Sequence, residues 1–323
     1  VKDGFQSFDC PCNSYGRGIA NFTLLVYDLF NIWGSALKEI SFLGFIALLV
    51  SSAIIGLVSL TKGGDLLSDN CSILARKLGV PPVIVGLTIV SVATSAPELF
   101  TSISAINSGA SGLVLGNIIG SNVANIGLIL GISLILKPVN THRAVKPIQL
   151  VLLTLVTLGF SSSIIFSHTS ALSFQAGIIL IIFIFGYLGS LCVVSLRNRN
   201  IQSPLEDELE NENQSVFVVI LFILLGGLLL WLGSESLVYG SKNLAEIVGI
   251  PNELIGFTLI AIGTSLPELA ASIALLKKNE THMLLGNIIG SNLFNIGLVG
   301  GVAGILGPIC LLYTSDAADD RSC

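Results

Sequence analysis

Charge is what this sequence lacks. Lysine, arginine, aspartate and glutamate make up 11% of its 323 residues, where a soluble domain carries about 25%. That shortage excludes the solvated surface of an ordinary globular domain. No basic stripe occurs, which excludes a nucleic-acid partner. Histidine and cysteine are also scarce. Cys10 and Cys12 form a CPC pair, Cys71, Cys192, Cys310 and Cys323 are scattered, and His142, His168 and His282 lie far from the pair. A zinc site needs about four clustered ligands, so these residues define no soft-metal centre. No catalytic constellation stands out and no cofactor motif is expected. No protein partner follows from the residues either.

What fills the chain is apolar. It is 52% hydrophobic, holds 34 glycines and has a mean hydropathy of +0.88. Runs of about 20 apolar residues, enough to cross a bilayer, recur along it. The fold class expected is all-α, a polytopic transmembrane bundle. Residues 1–40 read as an atypical extension, in which 20–34 is apolar but short and broken by Asp28. Spans follow at about 41–61, 80–106, 112–136, 148–167 and 172–196. A polar stretch, Lys62–Lys77, separates the first two. Residues 197–214 form an acidic linker containing EDELENEN, and further spans run 215–239, 250–276 and 283–306. The tail 311–323 abruptly leaves the apolar pattern and reads as non-native.

One stretch occurs twice, offset by 170 residues without a gap. GLTIVSVATSAPELFTSISAINSGASGLVLGNIIGSNVANIGLILG occupies 86–131 and GFTLIAIGTSLPELAASIALLKKNETHMLLGNIIGSNLFNIGLVGG occupies 256–301. Asp65, Gly79 and Pro81 match Glu235, Gly249 and Pro251 at the same offset. The units are therefore 41–196 and 215–308. Five crossings per period is an odd number, so the copies lie upside down relative to each other, the inverted-repeat plan of secondary transporters. Loops assigned alternately to two sides divide their lysines and arginines ten against four: Lys62, Arg76, Lys77, Lys137, Arg143, Lys146, Arg197, Arg199, Lys277 and Lys278 against Lys2, Arg17, Lys38 and Lys242. The positive-inside rule then puts the N-terminus outside and the linker in the cytoplasm.

Each copy sets a glutamate, Glu98 or Glu268, beside a proline within an apolar span, and an ionisable group there marks a functional site by default. Ser95-Ala-Pro-Glu98 and Ser265-Leu-Pro-Glu268 carry the Ser-x-x-Glu and proline signature of a helix start. In mid-span this predicts a helix that stops and restarts, freeing carbonyls near Ser91, Thr94, Ala261 and Thr264 for a cation. The glutamates read either as caps or as ligands. A cap needs no negative charge in a low dielectric and Gln would serve, which favours ligands. Asn117, Ser121 and Asn125 fall at i, i+4 and i+8 on one helix face, and Asn287, Ser291 and Asn295 repeat them. The GxxxG pairs Gly116/Gly120 and Gly286/Gly290 allow helices to approach closely. Interhelical bonding accounts for Asn117 and Asn287, while Ser121, Asn125, Ser291 and Asn295 read as oxygen ligands. Carboxylates, hydroxyls, amides and carbonyls are the ligand set of a hard cation.

These motifs, TSAPEL…GNIIGSNVANIG and TSLPEL…GNIIGSNLFNIG, resemble the two α-repeats of the sodium/calcium exchanger family, within the cation/calcium antiporter superfamily. The resemblance covers about residues 41–306. It implies ten helices in two inverted halves of five, of which about eight stand in this chain. It implies Ca²⁺ binding by Glu98 and Glu268 with the carbonyls of Thr94 and Thr264. It implies Na⁺ sites from Ser95, Ser121, Ser265, Ser291 and the carbonyls of Ser91 and Ala261, with Asn125 and Asn295 completing the central layer. The expected activity is exchange of Ca²⁺ for Na⁺ by alternating access in a multi-pass protein of the plasma membrane, not an enzyme. A proton/calcium antiporter and, from another class, a cation channel are the alternatives.

Overall fold

A computed structural model describes residues 42–107, 111–138, 146–167, 171–197, 214–250, 263–307 and 309–310. The expectations for residues 1–40, the acidic linker and the tail 311–323 fall outside the described residues. Nine helices follow one another among those described. They are α1 (Phe42–Leu78), α2 (Pro82–Thr94), α3 (Ala96–Asn107), α4 (111–136), α5 (Pro147–Ile165), α6 (Phe174–Arg197), α7 (Val216–Ile247), α8 (Leu266–Lys277) and α9 (Thr281–Leu306). A two-residue antiparallel pairing, Ala171–Leu172 with Ile309–Cys310, is the extended structure among the described residues. Six of the helices are long and apolar enough to cross a membrane, and α2 with α3 makes a seventh span bent by 41°.

The polar stretch Lys62–Lys77 is not a loop. It continues α1 as one helix of 37 residues, about 55 Å long at ~1.5 Å per residue, well beyond the ~30 Å hydrocarbon layer. Polarity concealed the pattern that makes it helical. Leu60, Gly63, Leu67, Cys71 and Leu74 are all buried, spaced three and four residues apart, and form one stripe against the core. Likewise α7 runs on to Ile247, past the expected end at 239. Both long helices stop the same way. Gly79 and Gly249 take positive φ (61° and 85°), and the N–H groups of Val80 and Ile250 reach back to the carbonyls of Ala75 and Ala245 at 3.0 Å. This Schellman closure needs a residue that tolerates the left-handed region, and Pro81 or Pro251 follows at once.

The two long helices pack antiparallel along a glycine seam. A Cβ at Gly56 would meet Leu237 N at 2.5 Å, one at Gly63 would meet Leu230 N at 2.8 Å, and one at Gly226 would meet Leu67 N at 2.8 Å. Gly233 faces Leu60 and Gly240 faces Leu49 in the same register. Glycines seven residues apart on each helix bring the backbones into contact, which van der Waals packing rewards inside a membrane. Behind this pair, α9 is buried along most of its length, enclosed by α2, α5, α6 and α8. Its Gly286 and Gly290 sit against Val83 O and Leu87 O of α2, where an added Cβ would come within 2.3 and 2.8 Å. The first GxxxG differs: no described atom lies within 4 Å of a Cβ at Gly116 or Gly120.

Candidate cation site

Both copies break their helix at a serine with the same backbone angles. Ser95 has φ −88°, ψ 5° and Ser265 has φ −89°, ψ 3°. The proline two residues on, Pro97 or Pro267, cannot donate a helical bond, and each glutamate sits in the first turn of the restarted helix. The serines do not cap these helices as the Ser-x-x-Glu pattern suggested. Ser265 makes no capping bond, and Ser95 Oγ donates instead to Glu268 Oε1 at 2.9 Å, from one repeat into the other. The bridge-region angles at the break carry the serine side chain away from the backbone N–H groups that a cap would serve.

The carboxylates are buried, each with 1% of its surface exposed. Both oxygens of Glu98 and Oε2 of Glu268 have no hydrogen-bond partner, and the two groups feel each other's charge. Two like charges in a low-dielectric interior repel strongly, and a buried carboxylate without partners costs several kcal/mol. Around them Thr264 Oγ1, Ser265 Oγ and both amide atoms of Asn125 and Asn295 are likewise buried and unpartnered. This is an oxygen-rich centre in which Glu268 Oε1, bonded to Ser95, is the carboxylate oxygen that has a protein donor. Such a set fits a hard cation of high charge.

Other polar groups hold the frame. Asn117 Nδ2 donates to Glu98 O at 3.1 Å and to Ser102 Oγ at 3.0 Å. Asn287 Nδ2 makes the matching bond to Ser272 Oγ at 3.4 Å, so both asparagines tie a broken helix to the one after it. Thr94 Oγ1 lies 3.3 Å from Asn287 Oδ1 and 3.4 Å from Ser291 Oγ, joining the first break to α9. Ser121 Oγ donates to the carbonyl of Asn117 at 2.6 Å. Ser91 behaves differently from expectation: its carbonyl is not freed by the break. It accepts the Ser95 N–H at 2.9 Å, because one helical bond survives across the bend, and its hydroxyl abuts Gly290. Ala261 lies outside the described residues.

Two features were not read from the sequence. A π-helical turn takes in each central asparagine, over Ala124–Leu130 in α4 and Asn295–Gly300 in α9. Such turns concentrate at functional sites, and here the first begins within the ridge formed by residues 117, 121 and 125. Asn122 and Asn292 also meet at the centre, Asn122 Nδ2 donating to Asn292 O at 3.4 Å. Their recurrence at the 170-residue offset, like that of Ser102 and Ser272, was the available signal.

A polytopic helical bundle with two inverted, broken-helix repeats around buried carboxylates is the architecture of a membrane transporter. The model of the family described as Sodium/calcium exchanger protein matches residues 43–193 and 218–320, and the chain belongs to that family. It is 37% identical over 265 residues to the putative antiporter CaxA of Alkalimonas amylolytica, covering 79% of this chain and 80% of that one. It is 34% identical over 301 residues to the sodium/calcium exchanger MaX1 of Methanosarcina acetivorans, covering 81% and 84%. A solved structure of the sodium-calcium exchanger NCX_Mj, soaked with 10 mM Na⁺ and 10 mM Sr²⁺, superposes with a TM-score of 0.71 at 33% identity, covering 83% of this chain and 85% of that one. The protein is thus a multi-pass integral membrane transporter and not an enzyme.

Proposed function

We propose that this protein exchanges Ca²⁺ for Na⁺ across the membrane by alternating access, with both ions using the centre between Glu98 and Glu268. The observation that carries this reading is the pair of buried carboxylates, three of whose four oxygens have no protein partner. Two negative charges match one divalent cation, and sodium ions satisfy the same oxygens in its place, so occupancy by one excludes the other. Thr94 and Thr264 would contribute backbone carbonyls to Ca²⁺. Ser95, Ser121, Ser265 and Ser291, with the carbonyls of Ser91 and Ala261, would serve Na⁺, and Asn125 and Asn295 would complete the central layer. In this conformation the Ser91 carbonyl is shared with Ser95, so Na⁺ there competes with a helical bond. The N-terminus outside, the linker 197–214 in the cytoplasm and placement in the plasma membrane complete the reading.

The test is ⁴⁵Ca²⁺ uptake into proteoliposomes under an imposed Na⁺ or pH gradient. Uptake driven by an outward Na⁺ gradient, and stimulated by Ca²⁺ on the opposite side, is the expected result. Uptake driven by pH alone would make the protein a proton/calcium antiporter, and absence of trans-stimulation would make it a channel. No K⁺ requirement is expected. Asn125 and Asn295 are both neutral amides, so K⁺ beside Ca²⁺ would set three positive charges against two carboxylates in a low dielectric. Replacing K⁺ with choline on both sides should leave the flux unchanged; a loss restored by added K⁺ would refute this.

A further inference from the structure

A cleft of about 140 Å³ opens between α1, α7 and α8, away from the carboxylates. Its walls are Leu60, Leu237, Leu266, Leu269 and Ile273, with Leu57, 56% exposed, at the lip. Its polar groups gather at one end, where Asp65 and Lys277 line it. Lys278 marks the same end: it donates to Asp65 O at 2.9 Å and pairs with Asp69 at 2.5 Å. With exposed Lys62 nearby in sequence, three cations stand against two carboxylates there.

The second copy of the repeat shows what this space takes. At the 170-residue offset Thr61 corresponds to Trp231, Ala270 to Phe100 and Asp65 to Glu235. Trp231 of α7 and Phe100 of α3 stack across the equivalent helix contact, ring centroids 5.2 Å apart and 13° from parallel. One copy bridges the space with its own aromatic rings, and the other, with Thr and Ala in their places, leaves a cleft. An apolar void forfeits dispersion contacts along its lining. Water gains little along the apolar walls, because a buried water needs two to four polar partners and the Thr61 hydroxyl is already bonded within its own helix. Within a membrane-spanning bundle the apolar matter at hand is lipid.

We propose that this cleft binds one acyl chain of an anionic phospholipid, whose phosphate sits at the exposed Lys277 in the last turn of α8. Lys278 is held by Asp69 and the Asp65 carbonyl, so Lys277 is the cation free to take the headgroup. A juxtamembrane basic residue attracts anionic lipid electrostatically, and chain burial supplies the rest. Binding here requires only the membrane-spanning fold and does not depend on which ions the site exchanges.

The experiment purifies the protein in detergent, adds palmitoyl-oleoyl phosphatidylglycerol (POPG) or its phosphatidylcholine counterpart, and counts retained phospholipid by native mass spectrometry. The wild type should retain one POPG in preference to the choline lipid. Ala270→Phe and Thr61→Trp install the residues of the other copy. Each should lower POPG retention about tenfold, which corresponds to losing the burial of roughly two methylenes. Thr61→Trp changes an exposed position whose hydroxyl bonds only within its own helix, so it reports even where Ala270→Phe disturbs packing. Lys277→Gln should abolish the preference for POPG while a lipid still binds. POPG retention unchanged in Thr61→Trp, or equal retention of the two lipids by the wild type, would overturn the assignment.

Discussion

Leu115–Asn122 in α4 and Leu285–Asn292 in α9 are the same eight residues, yet their surroundings differ. Ile289 is 6% exposed and its counterpart Ile119 is 48% exposed. Gly286 and Gly290 press on α2, Gly297 meets Ile184 of α6 and Gly300 meets Phe160 of α5. Among the described residues nothing presses on Gly116 or Gly120. The offset mates of Val83, Leu87 and Ser91, which pack on α9, are Glu253, Phe257 and Ala261, and these lie outside the described residues. At Gly286 and Gly290 the GxxxG pair is thus used for close approach to α2. The polar ridge behaves otherwise. Ser121 and Asn125, like Ser291 and Asn295, are buried in both copies.

The largest effect should fall where the copies agree. Glu98→Gln and Glu268→Gln should each reduce Na⁺-driven Ca²⁺ flux to background while the protein stays folded, since losing either leaves a divalent ion half neutralised in low dielectric. Near-normal flux in one of them would show that the copies are functionally unequal. Next come the glycines, where the copies differ. Gly286→Ala should destabilise by about 1–3 kcal/mol, the usual cost of overpacking, because its Cβ would meet backbone rather than a movable side chain. Gly116→Ala should instead be neutral or stabilise by up to about 1 kcal/mol, the helix-propensity gain. Thermal melts in detergent compare the two, and equal losses would mean that α4 is as tightly packed as α9.

Ser95 and Ser265 sharpen the contrast at the break itself. Ser95→Ala removes a hydrogen bond to a carboxylate and should cost about 1.5–3 kcal/mol in ion-free protein. Ser265→Ala should cost far less, because Ser265 Oγ has no partner to lose, yet both should weaken Na⁺ dependence of the flux. A larger stability loss for Ser265→Ala would reverse the asymmetry. The smallest effect belongs to Lys278, which joins the α8–α9 turn to α1 through Asp69, itself 59% exposed. Lys278→Gln should shift stability by no more than about 1 kcal/mol, the range of exposed pairs, and the shift should shrink as salt rises. A larger, salt-independent loss would place the pair in the core.

Much of this architecture was legible in the residues because the bilayer enforces simple rules. Apolar runs had to be spans, a gapless repeat had to give two like folds, and proline after Ser95 and Ser265 had to break a helix. The same repeat pairs Glu98 with Glu268 by position. The misreadings came where local composition competed with packing. Lys62–Lys77 is polar enough to resemble a loop, but its buried stripe makes it helix. Ser-x-x-Glu resembles a capping box, but the serine that bonds reaches a glutamate 173 residues away. Sequence patterns report what a segment can do alone, whereas a cap, a close glycine contact or an occupied carbonyl depends on what stands opposite.

The sequence by itself determined the membrane-spanning class, the repeat and its inversion, the two breaks and the inventory of oxygen donors. These follow from composition, periodicity and proline, which act within a few residues of where they are written. Only the tertiary structure decided which donors are spent on the frame and which stay unpartnered, and that Gly286 and Gly290 press on α2. It alone decided that the central asparagines lie in π turns and that one copy has a cleft where the other stacks Trp231 on Phe100. Those outcomes depend on contacts between segments 100 or more residues apart, and identical stretches meet different partners at that range.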